Sequence, residues 1–186
     1  TTVLENAARE PEIEELCRFL NSMGARIQGA GTQRLVITGV KKLHDTDFTI
    51  MPDRIVAGTY MLMTAAAGGD VLLRDVPLRQ LTSVRKVLEQ LGVEQEAGEK
   101  SLRIHSQGRL RCIPSLSTAP YPGFPTDLQS PLLAALSLAE GTSTIEETIF
   151  EARFKIVEDL GRMGARIQVE DRKAVIEGVS YLQGAS

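Results

Sequence analysis

The chain has 186 residues, 42% hydrophobic and 24% charged, with a formal net charge of −3. This is an ordinary composition, with enough chain for one sizeable core or two small ones. Acidic and basic residues are interspersed, Trp is absent and aromatic content is 4%, so neither a nucleic-acid partner nor a polybasic membrane surface is indicated.

Thr2-Val3-Leu4 reads as the end of a strand, with no initiator Met before it. Glu10–Met23 then carries Ile13, Leu16, Cys17, Leu20 and Met23 on one helical stripe, with Gly24 as its stop. Short strands follow at 26–28 and 34–38, joined by Gly29-Ala30-Gly31. Residues 44–53 suggest another short strand. Arg54–Ala67 has no charge after its first residue, which predicts a helix buried on all sides. A strand at 71–73 leads to an amphipathic helix, Gln80–Leu91, with Leu81, Val84, Val87, Leu88 and Leu91 inward and Gly92 as its stop. Strands are expected near 94–96 and 102–105. Leu128–Ala139 is again free of charge, with Pro131 near its first turn. A strand at 143–147, a helix at 154–163 ended by Gly164, and strands at 166–169 and 174–177 complete the chain, which stops at Gly184-Ala185-Ser186. Both ends read as those of a fragment of something longer. No apolar run reaches the roughly 18 residues of a membrane span. Cys17 and Cys112 lie among apolar residues without CxxC spacing. They read as buried reduced thiols in a reducing, cytoplasmic setting.

The helix stops repeat. Leu20–Ile27 (LNSMGARI) matches Leu160–Ile167 (LGRMGARI), and Leu88–Val93 is a weaker middle copy. The period of about 70 residues is too long for the common solenoids. Asp53 and Asp127 stand at corresponding positions, each opening a charge-free helix. One unit therefore reads as buried helix, strand, amphipathic helix, strand, strand. Units at about 53–115 and 118–182 follow the tail of another at 1–43. Charge-free helices beside strands of alternating polarity place helices inside and sheet faces toward water, the reverse of the usual layering.

Thr118–Gln129 (TAPYPGFPTDLQ) is the most distinctive stretch. Pro120, Pro122, Pro125 and Gly123 fix an irregular loop that ends in the carboxylate of Asp127 at a helix start. By its position Asp127 is either an N-cap or a site residue.

The motifs ENAAREPE (5–12), FLNSMGARIQGAGT (19–32), PDRIVAGT (52–59), TAPYPGFPTDLQ (118–129), AEGT (139–142) and ETIFEARF (147–154) resemble the enolpyruvyl transferase family. They resemble its UDP-N-acetylglucosamine-using branch best, and the match is collinear over the whole chain. The resemblance implies an α/β (α+β) fold, an inside-out α/β barrel of repeated βαβαββ units with helices buried and sheets outside. It implies that residues 1–48 close a first domain and that 49–186 supply two of the three units of a second. The implied reaction moves the enolpyruvyl group of phosphoenolpyruvate onto the 3-hydroxyl of UDP-N-acetylglucosamine and releases phosphate, the first committed step of peptidoglycan synthesis. It implies no cofactor and no metal, and it leaves the oligomeric state open.

Such a reaction needs an acceptor for the hydroxyl proton, an acid for the vinyl carbon and cations for a carboxylate and a phosphate. The resemblance places Asp127 against the sugar hydroxyl and the Ile149 main chain against the sugar nucleotide. Arg153 either helps position an anion or pairs on the surface with Glu151 or Glu147. Glu10, Glu12, Asp53 and Arg54 match residues lining the family's cleft, and helix-start roles suit them equally. Ala152 departs from the family's usual Asn. His44 and His105 read as surface residues, and no cluster has metal-ligand spacing. The family's N-terminal lysine-asparagine pair, its loop with the acid cysteine and its phosphate-binding arginines have no counterpart here, so these 186 residues alone are expected to be inactive. Two rivals remain: the related 3-phosphoshikimate enzyme, and a non-catalytic remnant or interaction module of the same fold.

Overall fold

Gly24, Gly92 and Gly164 all adopt left-handed backbone, with φ of 94°, 83° and 95°, which an L side chain resists. In each case the glycine N–H bonds three residues back. The next N–H bonds five residues back: Ala25 to Leu20 at 3.0 Å, Val93 to Leu88 at 2.9 Å and Ala165 to Leu160 at 2.9 Å. This is one helix stop written three times, and a strand follows each. The computed structural model describes residues 1–185, which fall into two compact units.

The first unit is Thr1–Pro52 with Pro120–Pro122. Strand β1 (Thr2–Glu5), helix α1 (Pro11–Ser22) and the strands β2 (Arg26–Gln28) and β3 (Arg34–Thr38) form a three-stranded antiparallel sheet in the order β1-β3-β2, with one helix. Pro11 occupies the first turn of α1, where its missing N–H costs nothing. Cys17 is buried as expected, and burial followed by the charge of Glu14 pushes its thiol up. Leu16 is exposed, and Glu15 is buried in its place. The strand expected within 44–53 does not form. Its backbone donors go elsewhere: His44 N–H to the Met23 carbonyl at 2.9 Å, and Met51 N–H to the Glu15 carboxylate at 2.6 Å.

The second unit is Asp53–Ala119 with the chain from Gly123 onward. Helix α2 (Arg54–Ala67) leads to β4 (Gly69–Arg74). A 3₁₀ turn, Leu78–Leu81, runs into α3 (Thr82–Leu91), followed by β5 (Glu94–Ala97) and β6 (Ser101–Ser106). The sheet order is β4-β6-β5, the same as in the first unit. Two short strands, β7 (Leu110–Arg111) and β8 (Leu116–Ser117), link to the next copy. There a 3₁₀ turn, Thr126–Leu128, enters α4 (Gln129–Leu136). The strands β9 (Ala139–Glu140) and β10 (Thr142–Glu146), helix α5 (Ile156–Arg162) and the strands β11 (Arg166–Glu170) and β12 (Lys173–Glu177) complete it. Here the order is β11-β12-β10-β8, with β8 parallel to β10, and β7 pairs in parallel with β9.

The helices α2 and α4 pack on each other. Ala57, Met61, Leu62 and Ala65 of α2 share one core with Leu132, Leu133, Ala135 and Leu136 of α4. All five inward residues expected from Leu81 to Leu91 are buried. Along β6 and β12 buried and exposed residues alternate, so each sheet turns one face to the helices and one to water. Gly58 makes the helix contact close: a Cβ there would meet Leu128 Cδ1 at 2.3 Å. Helix α2 is not buried on all sides as expected. Val56, Tyr60 and Met63, spaced as one helical stripe, are 53%, 49% and 54% exposed. Cys112 is half-buried rather than buried.

Candidate active site

Strands β8 and β10 lie parallel, with Leu116 opposite Ile145 and Ser117 opposite Glu146. The ladder runs one step further, Thr118 N–H donating to the Glu146 carbonyl at 2.9 Å. The proline-rich loop after Thr118 and the segment after Glu146 therefore leave the sheet side by side. The loop closes on itself: Ala119 N–H donates to the Phe124 carbonyl at 2.9 Å, and the Phe124 side chain is buried. Tyr121-Pro122 is a cis peptide. Leu128 N–H then bonds the Pro125 carbonyl at 3.0 Å and shapes the 3₁₀ turn that carries Asp127.

Glu147 sits where the two segments meet and is 1% exposed. Its Oε1 accepts from Thr118 Oγ1 at 2.8 Å, Ile149 N–H at 2.8 Å and Phe150 N–H at 3.2 Å, and its Oε2 accepts from Thr126 Oγ1 at 2.8 Å. Thr148 adds two bonds to Thr118, N–H to Oγ1 at 3.0 Å and Oγ1 to the carbonyl at 2.6 Å. Burial pushes the Glu147 carboxyl up, but the bonds from Thr118, Ile149, Thr126 and Phe150 outweigh it and hold it below the usual value.

Outward from this anchor, Asp127 is 57% exposed and its Oδ1 accepts from Arg153 Nη2 at 2.7 Å. The Arg153 guanidinium lies 4.9 Å from the centre of the Phe150 ring. An ion pair this exposed contributes at most about 1 kcal/mol to stability, so its effect is on orientation. An open hollow of about 430 Å³ adjoins it, lined by Ser130, Phe150, Glu151, Ala152, Arg153, Lys155 and Ile156.

Asp127 and Arg153 are thus brought together, and Ile149 lies on the segment that Glu147 ties to the loop carrying Asp127. Two details differ from the sequence reading. Asp127 is not an N-cap: Leu128 precedes α4, and no side chain caps it. Asp53 is one, its Oδ1 accepting from Ile55 N–H at 2.7 Å and Val56 N–H at 3.0 Å, so the two aspartates share a position but not a role. Arg153 pairs with Asp127 rather than with Glu151 or Glu147, because Glu147 is turned inward and Glu151 lies near Arg172, at 3.7 Å. Arg54 is buried at the start of α2. Glu10 and Glu12 belong to the first unit. Glu10 precedes α1 without a capping bond and accepts from Tyr121 N–H at 3.4 Å, and Glu12 lies in the first turn. Glu147, Thr118, Thr126 and Phe150 were not picked out from the sequence. Their signals were the motifs TAPYPGFPTDLQ, which holds Thr118 and Thr126, and ETIFEARF, which holds Glu147 and Phe150, and neither motif says which member faces inward.

Among the described residues no group of His, Cys, Asp and Glu is placed to hold a metal ion, and no helix is long and apolar enough to cross a membrane. The chain is 52% identical over 184 residues to UDP-N-acetylglucosamine 1-carboxyvinyltransferase 2 of Caldanaerobacter subterraneus subsp. tengcongensis, covering 99% of this chain. It is 46% identical over 185 residues to UDP-N-acetylglucosamine 1-carboxyvinyltransferase of Xylella fastidiosa, covering 100% of it. In both cases it spans 44% of the relative's length. Among solved structures it is similar to the enolpyruvyl transferase NikO from Streptomyces tendae, with a TM-score of 0.83 and 26% identity over 95% of this chain and 42% of that one. The sequence profile of EPSP synthase matches residues 1–186. The chain therefore belongs to the EPSP synthase (3-phosphoshikimate 1-carboxyvinyltransferase) family.

Proposed function

We propose that this chain forms part of an enzyme that transfers the enolpyruvyl group of phosphoenolpyruvate to the 3-hydroxyl of UDP-N-acetylglucosamine, with release of phosphate. One observation carries the reading: an exposed carboxylate, Asp127, fixed by Arg153 at the end of a loop that is itself anchored on a buried glutamate. In this role Asp127 accepts the proton of the attacking hydroxyl, and the fixed loop supplies the orientation that such a transfer requires. The Ile149 main chain contacts the sugar nucleotide, and Arg153 helps hold an anionic group of a substrate. Glu10 and Glu12 in the first unit, and Asp53 and Arg54 in the second, are further candidate residues that rest on the family resemblance alone. The names of the relatives at 45–52% identity favour this acceptor over 3-phosphoshikimate. Residues 1–48 would close a first domain, and 49–186 would supply two of three repeat units of a second. The setting we propose is the cytoplasm, in cell-wall synthesis and, through it, cell shape and division.

The test is phosphate release from phosphoenolpyruvate with UDP-N-acetylglucosamine, measured on the complete protein that carries this chain. Activity is expected there, and Asp127→Asn is expected to lower kcat by about 10²–10⁴-fold, the usual contribution of a positioned proton acceptor. These 186 residues alone are expected to release none, since the acid for the vinyl carbon is not among them. Turnover with 3-phosphoshikimate but not with the sugar nucleotide would overturn the assignment of the acceptor.

A further inference from the structure

We infer that Glu147 is the positioning residue of this site, holding in register the two segments that carry Asp127 and Arg153. The inference rests on the functional reading above and adds to it a residue that makes no contact with substrate.

The repeat isolates what is unusual about Glu147. The first strand of each copy ends at a matched pair: Glu5 with Arg34, Arg74 with Ser101, and Glu146 with Lys173. The next residues are Asn6, Asp75 and Glu147. Asn6 and Asp75 turn the chain with left-handed backbone, φ 53° and 52°, as short polar side chains tolerate. The fold therefore needs only a turn here. In the third copy the turn residue is replaced by a glutamate whose side chain points into the protein and takes four hydrogen bonds.

Those four donors come from both sides of the site. Thr118 and Thr126 bracket the proline-rich loop, and Thr126 immediately precedes Asp127. Ile149 and Phe150 belong to the other segment, and the Phe150 ring lies beside the Arg153 guanidinium. Burying a carboxylate is costly unless its oxygens are satisfied, and here each oxygen is. A glutamine at this place would turn an NH₂ toward a hydroxyl or an amide that needs an acceptor. The charge is thus suited to one job, which is to accept bonds from both segments at once.

The experiment uses the complete enzyme and the variants Glu147→Gln, Thr118→Val and Thr118→Ser. At a temperature where circular dichroism shows each variant fully folded, Glu147→Gln and Thr118→Val are expected to lower kcat by about 10–100-fold, the scale of a misplaced reacting group. Thr118→Ser, which keeps the donor, should restore kcat to within about threefold of the parent. A merely structural role would lower the melting temperature and leave the turnover of the folded protein unchanged. If Glu147→Gln does not fold, the Thr118 pair decides. Values of kcat within about twofold of the parent for Thr118→Val overturn the inference. Amide hydrogen exchange on the same proteins supplies a readout without turnover. The Ile149 and Phe150 amides are expected to exchange about tenfold faster in Glu147→Gln while those of α4 keep their protection, and unchanged exchange overturns the inference. A parent with no phosphate release overturns the functional reading instead, and the exchange result then decides whether Glu147 fixes the two segments.

Discussion

Glu147 gives the site a pH dependence of its own. Its carboxyl is held below the ordinary glutamate value of about 4.3. The unfolded chain therefore binds a proton at higher pH than the folded one, and the contribution of Glu147 to stability is fully present above that value and is lost as pH falls through the folded-state value. Urea midpoints measured from about pH 6 down to about pH 3 should fall more steeply in the parent than in Glu147→Gln, and equal slopes would contradict this account. Arg153 makes the opposite case. Its bond to Asp127 is exposed, so Arg153→Lys should change stability by no more than about 1 kcal/mol. A lysine is a point charge without the flat guanidinium that lies beside Phe150. A clear fall in kcat with an unchanged melting temperature is the expected pair of results.

Among the elements, the approach of α2 to the turn before α4 depends on one missing side chain. A methyl group at Gly58 would meet the buried Leu128 at 2.3 Å, and the overpacking should cost about 1–3 kcal/mol. Because Leu128 adjoins Asp127, a denaturation midpoint for Gly58→Ala equal to the parent's would show that α2 yields more readily than the packing implies. The elements also show what a sequence can and cannot disclose. The stops at Gly24, Gly92 and Gly164 were readable because each depends on residues within one turn. The core face of α3 was readable because its period is local. The segment 44–53 misled because its pattern suits a strand, yet its donors find a carboxylate and a carbonyl from elsewhere in the chain. Glu147 was hidden for a related reason: its hydroxyl partners lie 29 and 21 residues away, on a loop brought near only by the parallel pairing of β8 with β10. Asp127 stood out because the prolines around it are local, but its partner Arg153 depends on that same pairing.

Over the whole chain, a strand, a helix and an antiparallel hairpin recur three times with the same strand order. The repeat explains why most of the architecture was legible and why the site was harder to read, since the site is the place where one copy departs from the others. The stripe of Val56, Tyr60 and Met63 on α2 has a different consequence. These side chains form an oily seam on a helix without a charge after Arg54, so this polypeptide in solution should behave like a weak surfactant. It should light up environment-sensitive dyes such as ANS, adsorb to air–water interfaces and lose solubility as ammonium sulfate is added. Replacing Tyr60 and Met63 together with lysine should abolish the dye signal and raise the salting-out point. The urea midpoint should move little, because exposed positions contribute only about 0.5 kcal/mol each.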